Sequence, residues 1–225
     1  MTNTRPIELE FSRKYDREHA RQYFNKHQDG LARRLSHWRD EQLAREALKL
    51  AGDPDLVLDL PCGAGRFWPL LAEHPSRMIF AADNSADMLV TARASQPLHI
   101  VNRIETFQTS AFDIDMADNS VDSIFCMRLL HHIAEPAHRL AMLREFRRVT
   151  RDTVILSLWV DGNYKSWKRK RLERRRPTKD NQNRFVVPRE KIEAEFAEAG
   201  FEIVGHRDFL PGYAMWRVYV LRKGN

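Results

Sequence analysis

Val57-Leu58-Asp59-Leu60-Pro61-Cys62-Gly63-Ala64-Gly65-Arg66 decides how the rest of this chain is read. An apolar run ends in an acid, a glycine-containing turn follows, and a helix-like segment comes after it. The order is strand, loop, helix. That geometry presents backbone N–H groups and a helix N-terminus to a polar ligand. Gly63 and Gly65 allow the backbone to approach without a Cβ in the way. A second strand, Met78-Ile79-Phe80-Ala81-Ala82-Asp83, also ends in an acid. Asp83 stands 24 residues after Asp59, the interval that sets a carboxylate on the ribose of an adenosine-containing cofactor.

Two ligand classes use this layout. A dinucleotide site wants G-x-G-x-x-G, whose third glycine permits close helix–strand packing. Trp68 occupies that third position, which disfavours an NAD-dependent oxidoreductase. Asp59 also repels a pyrophosphate, whereas it suits the amino and sugar groups of a sulfonium nucleoside.

At these residues the chain resembles the class I S-adenosylmethionine-dependent methyltransferases. Their first motif, acid-x-Gly-x-Gly-x-Gly, matches Asp59-Leu60-Pro61-Cys62-Gly63-Ala64-Gly65, with Pro61 replacing the first glycine. Their second, acid-x-Ser-x-x-Met-Leu, matches Asp83-Asn84-Ser85-Ala86-Asp87-Met88-Leu89. A third match is Asp118-Asn119-Ser120-Val121-Asp122-Ser123-Ile124-Phe125-Cys126, followed by Leu130-His131-His132-Ile133. The resemblance runs from Val57 to Trp159. It implies a Rossmann-like α/β fold: about seven strands, mostly parallel with an antiparallel C-terminal strand, and helices on both faces.

The resemblance also implies roles. Asp59 and the Gly63/Gly65 backbone hold the amino-acid part of S-adenosyl-L-methionine. Asp83, with Asn84 beside it, takes the ribose hydroxyls. Met88 packs near the adenine, and Ser110, Ala111 and Phe112 form the adenine edge. Ser110 stands where the family often carries an acid. Met127 and Arg128 lie where the fourth strand opens beside the sulfonium. Methyl transfer is an in-line displacement, so the protein chiefly positions its reactants. A proton acceptor is needed only for an acceptor that must lose a proton, and His131 and His132 are the candidates.

The net charge of +6 is concentrated. Residues 165–179 hold nine Lys or Arg and one acid, so the rest of the chain is slightly acidic. A solvated loop is one reading of this segment. The other is an acceptor arm for phosphate, with Tyr164 and Trp167 as stacking anchors and Arg171 and Arg175 sharing a helix face. RNA, an anionic envelope glycolipid such as lipopolysaccharide at a membrane surface, and a cyclic dinucleotide all present such phosphate. The resemblance leans toward envelope-glycan methyltransferases. An RNA or small-molecule methyltransferase is one alternative, and a regulatory protein on a methyltransferase fold, answering to a nucleotide such as a cyclic dinucleotide, is the alternative from another class.

The chain of 225 residues is 43% hydrophobic, enough for a substantial core. No apolar run suits a signal peptide or a membrane span, and two cysteines make no disulfide framework. The expected compartment is a reducing cytoplasm, with contact at the inner membrane face left open. No Cys/His spacing suits zinc, and adjacent His131 and His132 cannot chelate on one face, so no metal is expected. The sequence divides into an N-terminal helical cap (1–55), a cofactor-binding core (56–160), a basic insert (161–187) and a closing helix and strand pair (188–225). Residues 16–50 read as two helices, with Leu31, Leu35, Trp38, Leu43, Ala47 and Leu50 at helical spacing. Tyr15, Tyr23, Arg33, Arg34 and Arg39 are candidates from this cap to reach the ligand. Oligomeric state is not readable.

Overall fold

Alternating apolar runs and amphipathic helices build a seven-stranded sheet in the computed structural model, which describes Ile7 and residues 31–173 and 183–224. After helix α1 (Leu31–Leu50) come β1 (Leu56–Asp59), the single turn α2 (Trp68–Leu71), β2 (Met78–Asp83), α3 (Ala86–Ser95) and α4 (Leu98–Val101). Then follow β3 (Ile104–Gln108), β4 (Val121–Cys126), a 3-10 turn (Leu130–His132), α5 (Pro136–Val149) and β5 (Thr150–Trp159). The chain closes with α6 (Tyr164–Glu173), α7 (Arg189–Glu198), β6 (Phe201–Asp208) and β7 (Trp216–Lys223).

The strand order is β3-β2-β1-β4-β5-β7-β6. The first five run parallel, while β7 lies antiparallel between β5 and β6. Successive strands build outward from β1 in one direction and then, from β4, in the other. The crevice where that order reverses, at the C-terminal ends of the strands, is where such sheets bind ligands. Asp59 ends β1 and Asp83 ends β2 at this edge. Because β7 runs backwards, its first residue, Trp216, arrives at the same edge opposite Trp159, the last of β5.

Strand alternation sorts the core into two layers. Leu58, Ile124, Leu156 and Tyr219 face α5 and α7, whose Leu143, Phe146, Ile192 and Phe196 cover them. Val57, Ile79, Phe125, Ile155 and Val220 face the other way, against Leu43, Ala47 and Leu48 of α1 and Trp68 and Leu71 of α2. Local signals fix the helix ends. Ser85 caps α3, its Oγ accepting from Met88 N at 3.3 Å. Pro136 opens α5, where its missing N–H is no loss. Gly200 stops α7 at φ +83°.

Several boundaries differ from the sequence expectation. α1 is one helix, and the first of the two expected helices, with Tyr15 and Tyr23, lies outside the described residues. Its buried stripe is Leu43, Ala44, Ala47 and Leu48, whereas Leu35 and Trp38 are 65% and 57% exposed. β5 begins at Thr150, which pairs with Val121 ahead of an irregularity in the ladder. Of the two readings of the basic segment, its described start is a helix, α6; residues 174–182, with Arg175, lie outside the described residues.

Candidate functional site

A cavity of about 500 Å³ opens at the C-terminal edge of the sheet, within the size range of small-molecule sites. Its walls come from the loops after β1, β2, β3 and β4 and from the Trp159/Trp216 end of β5 and β7. Gly63, Asp83, Asn84, Met88, Ser110, Ala111, Phe112, Met127, Arg128, His131 and His132, all singled out from sequence, line it and converge there. Asp59 and Gly65 sit behind that wall, and Tyr164, Trp167 and Arg171 lie outside it.

The carboxylate end is built by backbone geometry. Asp83 accepts from Gly63 N through Oδ2 at 3.0 Å and from Ser85 N through Oδ1 at 2.9 Å. Each oxygen keeps a lone pair for a further donor, as a ribose hydroxyl would require. The Gly63 N–H therefore points at Asp83. Burial pushes the Asp83 carboxyl above the usual carboxylate range against the pull of its backbone donors. Asp59 is 1% exposed, and its Oδ2 has no hydrogen-bond partner. Burial first, and then repulsion from Asp83, holds its carboxyl well above the usual range. The Trp68 indole acts in the opposite sense without completing a hydrogen bond. A buried acid lacking a donor fits a cationic amine, so these residues fit S-adenosylmethionine.

Trp68 is fully buried and shapes the turn. At Gly65, φ is +71° and a Cβ would stand 2.8 Å from Trp68 Cδ2 and 3.2 Å from the Ala92 Cβ. Gly63 has φ +53° with nothing within 4 Å of an added Cβ. Gly65→Ala is expected to destabilise by ~2–5 kcal/mol, summing left-handed strain and overpacking. Gly63→Ala carries the strain alone, ~1–2 kcal/mol. Urea unfolding of the two variants checks the difference.

The opposite end is aromatic and cationic. His131 stacks on Trp159 at 5.2 Å and meets Trp216 edge-on at 5.1 Å. Arg169 and Arg184 lie over Trp159 at 5.2 and 5.8 Å, and Arg128 lies over Trp216 at 5.1 Å. Three buried atoms here have no hydrogen-bond partner: His131 Nδ1, Trp216 Nε1 and Arg128 Nε. The last two are donors. Arg128 also has φ +67°, a left-handed conformation that non-glycine residues rarely adopt.

From the other side of the cavity, Asp40 of α1 ties the loops after β1 and β4 together. Its buried Oδ2 accepts from Arg66 Nη2 at 2.7 Å and from Arg128 Nη2. Sequence reading missed Asp40 because no motif marks it. It missed Trp216 because only the antiparallel pairing of β5 with β7 brings it here, and it missed Arg184 because no motif marks it. Arg39, a candidate from the cap, instead holds the Asp208 and Phe209 carbonyls, and Arg34 is exposed; neither lines the cavity. The Arg33 side chain lies outside the described residues.

Burial, the neighbouring His132, and then Arg184 and Arg128 depress His131 to about 2. Burial, partly offset by a hydrogen bond to the Asn183 carbonyl, depresses His132 to about 4. Both rings are neutral at neutral pH and weakly basic, which makes them poor proton acceptors. An imidazole lowered in the folded state takes up its proton only in the unfolded chain between its folded value and about 6.5. Stability therefore falls as pH drops below about 6.5, by up to about 1.4 kcal/mol per pH unit for each ring. Asp59 and Asp83 act oppositely, losing stability as pH rises through their raised values. His131→Phe keeps a ring between the two tryptophans and is expected to reduce the slope of the acid limb between pH 4 and 6.5 by about half, the rest belonging to His132, measured by urea unfolding across pH.

Among the described residues no cluster of His, Cys, Asp or Glu suits a metal, and no helix is long and apolar enough to cross a membrane. Cys62 and Cys126 are both buried free thiols, pushed up first by burial and then by Asp59.

Comparison with known proteins agrees with this geometry. An uncharacterised protein of Synechococcus sp. is 36% identical over 89 residues, covering 39% of this chain and 21% of its own. The tRNA U34 carboxymethyltransferase of Pseudoalteromonas atlantica is 28% identical over 108 residues, covering 48% of this chain and 33% of its own. The chain thus matches a third or less of each relative's length. Magnesium protoporphyrin IX methyltransferase from Synechocystis PCC 6803, solved with bound SAH, superposes with a TM-score of 0.75 at 16% identity, over 95% of this chain and 99% of its own. The strand order and this superposition make the fold Rossmann-like and shared with methyltransferases, and residues 57–153 match the family described as a methyltransferase domain.

Proposed function

We propose that this chain transfers a methyl group from S-adenosylmethionine to an acceptor seated at the aromatic end of the cavity. The observation that carries this reading is the pair of buried carboxylates at the sheet's switch point, one of them with an oxygen lacking any donor. Bound there, the cofactor supplies an activated methyl group with a good leaving group. Asp59 would hold its ammonium group and Asp83 its ribose hydroxyls. Met88 and Phe112 would flank the adenine, and Ser110 would meet its edge.

At the other end Trp159 and Trp216 form walls for a planar group. Arg128, Arg184 and the unpartnered Trp216 Nε1–H supply positive charge and a donor for oxygen atoms of the acceptor. His131 is an aromatic spacer between the tryptophans in this reading, in place of the proton acceptor expected from sequence. The methyltransferases it resembles are named for different acceptors, so their names choose none. The envelope-glycolipid acceptor and the cyclic-dinucleotide regulatory partner expected from sequence find no support in these likenesses.

The test is transfer of a labelled methyl group from S-adenosylmethionine into fractionated cell extract. Incorporation into one fraction is expected, reduced at least tenfold in Trp216→Ala while cofactor binding is retained. No incorporation into any fraction, with cofactor binding intact, would overturn the enzymatic reading.

A further inference from the structure

Three aromatic rings form a ladder on the outer surface beside the cavity mouth. Tyr213 stacks on Tyr164 with centroids 5.6 Å apart and 14° between planes, and Tyr164 meets Trp167 at 6.0 Å and 31°. All three are about half exposed. The ladder is fixed by main-chain bonds: Tyr164 N donates to the Gly212 carbonyl at 2.9 Å and Lys165 N to the Tyr213 carbonyl at 3.0 Å. This seats α6 on the 210–214 turn, whose Ala214 borders the cavity.

Cations accompany the rings. Lys165 Nζ lies over Tyr213 at 5.4 Å and Arg171 over Trp167 at 5.6 Å. The one acid of α6, Glu173, is taken by Arg169 at 2.7 Å, and Lys170 pairs with Asp161 at 3.1 Å. Lys165, Lys168 and Arg171 have no ion pair among the described residues. Lys165 also lines the cavity, so it connects the ladder with the interior.

Exposed stacked rings interleaved with unneutralised cations are the chemistry that binds single-stranded nucleic acid: bases stack on the rings while the cations meet phosphates. A purely electrostatic polyanion site has no use for exposed aromatic faces. An apolar protein interface has no use for three unpaired cations. We infer that the ladder of Tyr213, Tyr164 and Trp167, with Lys165, Lys168 and Arg171, is a docking strip for single-stranded RNA. It leads one nucleotide toward the tryptophan-walled end of the cavity. That last step rests on the methyltransferase reading; the docking itself does not.

The experiment uses the full chain and a fluorescein-labelled single-stranded RNA of mixed sequence, followed by anisotropy across a salt series. SAH binding is measured separately by calorimetry. Binding is expected with an affinity that falls as salt rises. Trp167→Ala/Tyr213→Ala should weaken it at least tenfold with the salt slope unchanged. Lys168→Glu/Arg171→Glu should lower the slope by about 1.4, the loss of two phosphate contacts on a single strand. Both variants are to retain SAH binding, which reports an intact fold. The inference is overturned if the RNA does not bind. It is equally overturned if heparin or phosphatidylglycerol vesicles bind as tightly as RNA and the aromatic variant changes nothing. RNA binding without SAH binding would leave the strip standing and sink the methyltransferase reading instead.

Discussion

Asp59→Asn is expected to make the ligand-free protein more stable while weakening S-adenosylmethionine binding about 10- to 100-fold. Both effects have one cause. The Asp59 carboxylate is buried, has an oxygen with no donor, and lies near a second acid. An unsatisfied buried polar group costs about 1–3 kcal/mol, more when charged. The sign follows from the raised pKa. The folded protein holds a proton that the unfolded chain has released, so this contribution is full below the usual carboxylate range. It is lost as pH rises through the raised value. Asparagine has no charge to bury and removes that loss. The stability gap between variant and wild type should therefore widen with pH, reaching about 1–2 kcal/mol near neutrality. Binding moves the other way, because a hydrogen bond between the cofactor's ammonium and an ionised partner contributes about 1.5–3 kcal/mol. Urea unfolding across pH and calorimetry on the same two proteins check both halves.

Arg139→Leu should produce the largest loss of stability. Arg139 and Glu195 are nearly inaccessible and joined by two bonds of 2.7 and 2.6 Å. The same guanidinium holds the Ile133 and Ala134 carbonyls at 3.0 and 2.7 Å. It thus fastens α5 to α7 and anchors the loop that carries His131 and His132 to the cavity. Removing one member leaves a buried carboxylate alone, at a cost of about 3–5 kcal/mol. For a chain of this size that lowers the melting temperature by about 6–20 °C. Arg139→Leu/Glu195→Met removes both charges and should recover most of the loss, since an apolar pair of similar volume often serves as well as a buried ion pair. The recovered variant would still lack the two carbonyl contacts, so its acceptor-side loop is where a residual defect belongs. Thermal melts of the three proteins decide it.

Much of the fold was legible because its signals are local. An apolar run ending in an acid, glycines at positions of positive φ, Ser85 as a cap and Pro136 at a helix start are each read within a few residues. The cofactor side of the cavity was legible for the same reason, since its residues end successive strands of one parallel sheet. What failed depends on distance in sequence. Arg139 sits on the buried side of α5 only because Glu195, 56 residues on, meets it. Asp40 matters through Arg66 and Arg128, which no spacing rule connects to it. Trp159 and Trp216 face one another through an antiparallel register that the sequence does not specify. The position of His131 and His132 in the chain suggests proton transfer, whereas burial, for His131 between two tryptophans, sets their basicity. Leu35 and Trp38 fit a helical stripe, yet α1 turns a different stripe to the sheet.

Calorimetric titration of the purified full chain with SAH tests the ligand assignment most directly. One site per chain is predicted, with binding abolished or strongly reduced when Asp59 or Asp83 is changed to alanine, and no comparable heat from NAD. A chain that takes up no SAH, or binds it equally well without either carboxylate, would contradict it.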